Sequence, residues 1–307
     1  MIVNRQTRPA CGIALSLMMA SGILLATEVQ AQWVKPPSAG VLKETPGLVH
    51  KTYDSNVMGT TVGYCVVLPA GYETSAERYP VVYWLHGGGG NESSSLSTAR
   101  SWRKLDEANK TRPVILVYPN GFRSGYMDHW DGKIMVESMI IKELIPRIDS
   151  TYRTIASREG RAVHGFSMGA SGSLKFAFKY PDMFCSAVAY GGGAIDLEND
   201  KSAFIVGILK RNLNADPKLI RQNNTYHFLK QNGDTVRKNG IRFLLICGDK
   251  DSWKRSAADF HKALGESRIP CELTIVPDVS HSLGGLTKAK GEAAARFQDE
   301  VFQAGLK

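Results

Sequence analysis

An α/β fold with a mainly parallel central sheet and helices on both faces is what this chain predicts, and three observations carry that reading. Two uninterrupted apolar runs, Pro80 to Leu85 and Pro113 to Tyr118, are of the kind buried on both faces of a parallel sheet. Segments with helical periodicity follow such runs repeatedly, so strand alternates with helix to the end of the chain. Several runs stop at glycine-bearing breaks, where the backbone turns out of the sheet. The 307 residues are ample for one large domain with a substantial core.

Residues 1–31 read as a secretory signal rather than as part of the fold. Arg5 and Arg8 make the basic start, Cys11 to Ala26 the apolar run, and Val29-Gln30-Ala31 a small-residue cleavage site. The run is too short and too broken by Ser and Gly for a spanning helix, so no membrane anchor is expected after cleavage. A secreted or periplasmic location follows. Residues 32–307 are expected to form a single domain, and Gln32 to Gly47 a surface leader. Val49 to Ser55 and Thr60 to Pro69 read as a hairpin around Gly59. After the strand Pro80 to Leu85 comes His86-Gly87-Gly88-Gly89-Gly90, then a helix from about Thr98 to Asn109 and the strand Pro113 to Tyr118. Glu137 to Tyr152 shows a helical stripe of Ile140, Ile141, Leu144, Ile145 and Ile148. Ala162 to His164 is a strand, Ser171 to Tyr180 a helix, and Met183 to Tyr190 a strand. Residues 191–239 are polar, with short helical pieces such as Ala203 to Leu213, and read as an insertion beside a cleft. Strand Ile241 to Cys247, helix Trp253 to Leu264, strand Glu272 to Val276 and helix Thr287 to Ala304 complete the chain.

The formal charge is +9, or +8 without residues 1–31, and the basic residues are scattered through helices rather than clustered. A solvated surface is the reading, and no nucleic-acid motif accompanies it. Cys65, Cys185, Cys247 and Cys271 lie in strand-like runs, which favours buried thiols over disulfides. No Cys or His spacing suggests a metal, and no motif suggests a cofactor.

The chemistry concentrates at Gly165-Phe166-Ser167-Met168-Gly169, between an apolar run and a helix. This is the layout of a nucleophile elbow, which holds a serine hydroxyl clear of the sheet. Gly165 and Gly169 allow the backbone to pass closely, and the helix N-terminus turns N–H groups toward developing negative charge. Of seven histidines, His281 alone follows the last strand in a glycine-bearing loop, where a base for this serine belongs in the order Ser, acid, His. Gly248-Asp249-Lys250-Asp251-Ser252 offers two carboxylates, and spacing does not separate Asp249 from Asp251. One fits the acid that orients the imidazole, the other a turn or helix cap. The four-glycine loop supplies bare amides for a second oxyanion donor. It lacks the endings of a phosphate-binding loop.

These motifs, with Lys142-Glu143-Leu144-Ile145-Pro146, Ile148-Asp149 and Tyr152-Arg153, resemble the esterase D/feruloyl esterase group, related to carbohydrate esterase family 1 and to mycolyltransferases. The likeness runs from about Val49 to the end. It implies an α/β-hydrolase fold, Ser167 as nucleophile, His281 as base, and the amides of Gly88 and Met168 as oxyanion hole. A Gly-x-x-Asp turn in those relatives selects Asp251 over Asp249. Ala170 departs from the glycine of many members, and residues 191–239 have no clear counterpart.

The resulting expectation is a secreted serine carboxylic-ester hydrolase acting through an acyl-enzyme on feruloyl or acetyl esters of polysaccharides, without cofactor or metal. Tyr126 and Trp130 are candidates to line an acyl pocket, with a buried packing role as the competing reading. An acyltransferase or a siderophore esterase would use the same triad. A secreted glycan-binding protein on an inactive scaffold is the alternative of another class, and it predicts loss of a triad member.

Overall fold

A computed structural model describes residues 32–108 and 110–306. The signal reading for residues 1–31 lies outside the described residues. Eight strands form one sheet in the order β1-β2-β4-β3-β5-β6-β7-β8. They are β1 (Leu48–Ser55), β2 (Thr60–Val67), β3 (Val81–Leu85), β4 (Ile115–Pro119), β5 (Arg161–Phe166), β6 (Ser186–Tyr190), β7 (Arg242–Gly248) and β8 (Cys271–Val276). The hairpin β1–β2 and the pair β2–β4 are antiparallel, and all other neighbours are parallel.

Side chains alternate across the sheet as a two-residue period requires. Val81, Tyr83 and Leu85 enter one core layer, Val82 and Trp84 the other. Over the first face lie α3 (a helical run of Val136–Ser138, the π-helical Met139–Leu144 and Ile145–Thr151), α4 (Met168–Lys179), α7 (Thr225–Lys238) and α8 (Lys254–Glu266). Over the second lie α2 (Ser97–Glu107) and α9 (Leu283–Gly305), which contribute Trp102, Phe297 and Phe302. The six-residue α1 (Ala39–Glu44) precedes the sheet, α5 (Ala203–Leu213) borders the cleft, and α6 (Pro217–Arg221) packs against α5. Since β3 pairs with β4 on one side and β5 on the other, the loops leaving β3 and β5 part at the carboxyl end of the sheet and open a crevice there.

Three expectations change. The leader is anchored rather than superficial: Trp33 is buried against Phe122, ring centroids 5.3 Å apart. Its neighbour Lys35 donates its N–H to Glu92 Oε1. Residues 191–239 are only in part an insertion, because α7 is the crossover helix between β6 and β7 and buries Phe228, Leu229 and Val236 in the main core. Asn224 caps this helix, its Oδ1 accepting from Tyr226 N–H. The four cysteines among the described residues are free, but Cys271 is half-exposed because β8 is an edge strand.

A buried ion pair joins the helices of the first face. Lys175, 2 % exposed, donates to Glu137 Oε2 at 2.7 Å, to Tyr126 O at 2.6 Å and to Asn223 Oδ1 at 3.1 Å. Burial pushes the Glu137 carboxyl up, but Lys175 and Lys179 overcome it and hold it at about 2. An unfolded glutamate titrates near ~4.3, so the unfolded chain takes up this proton first as pH falls. The pair's contribution is therefore complete above about pH 4.3 and lost between there and about pH 2. Glu137→Gln leaves the Lys175 ammonium without its counter-charge and is expected to lower stability by about 3–5 kcal/mol in urea unfolding at neutral pH. The same variant should flatten the acid limb of the stability profile.

Candidate active site

β5 enters the site as Arg161-Ala162-Val163-His164-Gly165-Phe166, buried along almost its whole length, and α4 leaves it at Met168. Ser167 between them has φ 56° and ψ −114°, a left-handed geometry that a side chain rarely adopts and that costs roughly 1–3 kcal/mol. The turn is that sharp because a Cβ on Gly165 would overlap the Gly169 carbonyl, and one on Gly169 the Leu85 carbonyl. Ser167 N–H is tied to Tyr190 O at 2.8 Å, which fixes the elbow to the end of β6.

His281 reaches the serine from the loop between β8 and α9. Its Nε2 lies 2.8 Å from Ser167 Oγ, and its Nδ1 2.9 Å from Asp251 Oδ2. The ring stacks on Phe166, centroids 4.8 Å apart, a contact that sequence reasoning missed although Phe166 adjoins the serine. Asp251 follows β7 and is fully buried on its side-chain atoms, and its Oδ1 accepts from Trp253 N–H at 2.8 Å. With one oxygen on the backbone and the other on the imidazole, the carboxylate has one orientation. Asp249, two residues earlier, makes no such contact with the histidine.

The other histidines are placed elsewhere. His164 is buried between Trp84 and Trp102 and bonded to Gln298 Oε1 at 2.9 Å, and burial lowers it to about 4. His50 pairs with Glu92, and His261 with Cys271 O. His86 is buried and lowered to about 4 by loss of solvation, so the ring is neutral at neutral pH. Gly121 N–H donates to its Nε2 at 2.9 Å, which leaves the ring proton on Nδ1. Nδ1–H then donates to Gly87 O at 2.7 Å, and Gly90 N–H donates to the same oxygen at 3.0 Å. The Gly87 carbonyl and the Gly88 N–H share one peptide plane, so holding the first orients the second. Gly88 borders the cleft beside Ser167. The Met168 N–H, in the first turn of α4, belongs to the amides with no intrahelical acceptor.

The cleft above the serine has a volume of about 530 Å³. Met127, Ile195, Leu197, Ile205 and Ile208 give it an apolar wall, and Phe204 packs on Trp253 at its mouth, centroids 5.7 Å apart. All of that wall but Met127 comes from residues 195–208, which the sequence placed near the cleft without identifying the contributing side chains. Trp130 is not brought to it. The Asp128–Met135 bridge and the His129 N–H bond to Ile134 O fold its loop into a tight turn whose tip carries Trp130 into solvent, 53 % exposed. Tyr126 is buried under the elbow, its hydroxyl donating to His86 O at 3.0 Å, in the packing role.

Residues 55–226 match the Esterase family model, described as "Putative esterase". An esterase of Mycobacterium tuberculosis is 36 % identical over 153 residues, covering 48 % of this chain and 33 % of the relative. An endo-1,4-beta-xylanase/feruloyl esterase of Xylanibacter ruminicola is 34 % identical over 129 residues, 39 % of this chain and 18 % of the relative. The chain thus spans a third or less of the length of these curated relatives. A ferulic acid esterase structure superposes with TM-score 0.69 at 23 % identity, covering 83 % of this chain and 98 % of the other. An S-formylglutathione hydrolase from Agrobacterium tumefaciens gives 0.70 at 18 %, covering 83 % and 95 %. These superpositions show the fold, and the family match covers more than half of the sequence: the chain belongs to the esterase family, on an α/β-hydrolase fold.

Proposed function

We propose that this chain is a secreted serine carboxylic-ester hydrolase whose substrate is an ester of a bulky, largely apolar acid. The observation that carries the reading is the unbroken hydrogen-bond relay Asp251–His281–Ser167 at the edge of the cleft. Ser167 Oγ attacks the ester carbonyl carbon while His281 Nε2 accepts its proton, and Asp251 holds the imidazolium in place. The carbonyl electron pair moves onto oxygen, which the Gly88 and Met168 N–H groups receive. Collapse breaks the C–O bond, and His281 returns the proton to the departing alcohol. Water, deprotonated by the same imidazole, then cleaves the acyl-enzyme and frees the acid.

Cleft size bears on the acyl group. A volume of about 530 Å³ with a continuous apolar wall far exceeds what an acetyl group fills, which favours a feruloyl-sized acid over acetyl. The relative from Xylanibacter ruminicola, named a xylanase/feruloyl esterase, adds support for a polysaccharide-linked ester. Export rests on the basic, apolar and small-residue pattern of residues 1–31.

Ser167→Ala is expected to lower kcat on methyl ferulate by roughly a millionfold and to abolish labelling by a fluorophosphonate. Full hydrolysis by that variant would end the scheme. Asp251→Asn should cost roughly ten-thousandfold in kcat with KM little changed, whereas Asp249→Asn stays within a few-fold of the parent. Steady-state kinetics of the two variants side by side separates the carboxylates. His86→Ala frees the Gly87–Gly88 peptide and should lower kcat by roughly ten- to a hundredfold, up to the cost of losing one oxyanion donor, while KM holds.

A further inference from the structure

Three cations border the cleft, Arg123, Lys175 and Arg211, and no carboxylate does. Lys175 is neutralised by Glu137. The two arginines are not: among the described residues neither meets an Asp or Glu within ion-pair distance. The carboxylates of the adjoining loop are engaged elsewhere, Asp128 with Ser138 N–H and Oγ–H, Asp131 with Lys133 N–H.

Both arginines stand at the same end of the cleft because buried Asn212 clasps their elements together. Its Nδ2 donates to Ser124 O at 3.1 Å, next to Arg123, and its Oδ1 accepts from Arg211 Nε at 2.9 Å. Its carbonyl takes the Trp130 N–H at 3.0 Å. The Arg123 guanidinium lies over Gly89, one residue beyond the amide proposed to receive the oxyanion, since a Cβ on Gly89 would sit 3.5 Å from it. The Phe204–Trp253 pair borders the same cleft without adding a charge to it. Two like charges gathered beside an apolar wall repel each other, and a bound anion relieves that repulsion. Guanidinium groups match a carboxylate with paired hydrogen bonds.

Building on the ester-hydrolase reading, we propose that Arg123 and Arg211 form an anion subsite that selects esters carrying a free carboxylate. The selectivity is set at binding and leaves the chemistry at Ser167 unchanged.

Titration calorimetry on the Ser167→Ala variant compares nitrophenyl valerate with two anionic counterparts. One is the nitrophenyl monoester of glutaric acid, charged in the acid half, and the other carboxyphenyl valerate, charged in the alcohol half. One of the anionic esters is expected to bind roughly tenfold or more tighter than the neutral one, the scale of a hydrogen bond to a charged group. The one that does so tells which half enters the subsite. The ratio should fall toward one when Arg123→Gln and Arg211→Gln are added, invert with Arg211→Glu, and shrink as salt is raised. Equal or weaker binding of both anionic esters, or an advantage that survives loss of both guanidiniums, overturns the subsite. Turnover by the parent enzyme separates this from the reading beneath it. Cleavage of nitrophenyl valerate without an anionic preference in binding removes the subsite alone. A binding preference with no ester cleaved removes the hydrolase alone.

Discussion

The molecule's chemistry hangs on one close approach, the backbone of Gly169 lying against the carbonyls of Leu85 and His86. That approach puts the first turn of α4 directly on the end of β3. It forces Ser167 into its left-handed geometry, and it places the elbow against the residues that begin the glycine loop. Ser167, the Met168 amide and the Gly88 amide therefore form one rigid unit rather than meeting by the chance positions of separate loops. Strain at Ser167 is held because the surrounding strands are buried on both faces and have nowhere to move.

Side chains packed around the glycine loop carry the second half of that rigidity. The glycine loop has no side chains of its own to pack, so its neighbours must hold its backbone. His86 takes an N–H from Gly121 and gives its own to Gly87, and Tyr126 binds the His86 carbonyl. Glu92, just past the loop, gathers Lys35 N–H, His50 and Asn120. Protonation of His86 would remove the acceptor that Gly121 needs. The burial that lowers its pKa to about 4 keeps the clasp intact over the range in which a histidine base functions.

Much of this was legible from residues that announce themselves. The apolar runs of β3, β4 and β7 and the pentapeptide around Ser167 located the sheet and the elbow within a residue or two, because both signals are local. The serine, the histidine and a two-member choice of acid also followed from chain order, whereas Asp251 was separated from Asp249 only by family likeness. In the fold that separation is a matter of direction: β7 ends so that the Asp251 side chain faces the β8–α9 loop. Long-range packing was not legible. Nothing local in Trp33 says that it will cover Phe122, and the polar surface of α7 concealed three core residues. Trp130 misled for a related reason, since a loop aromatic can face the cleft or solvent and only the turn between Asp128 and Met135 decides.

The cations around the cleft separate structural from unsatisfied charge. A buried ammonium is untenable without partners, and Lys175 has a carboxylate, a carbonyl and an amide oxygen. It therefore has no remaining donor to offer a ligand, even though it borders the cavity. Exposed arginines face no such demand, because water solvates them until something better arrives. Arg123 and Arg211 are thus left with unused donors in the cleft that also holds Ser167. A substrate anion displaces water there without having to break an existing ion pair, which is why the same guanidiniums that contribute little to stability are suited to discriminate among ligands.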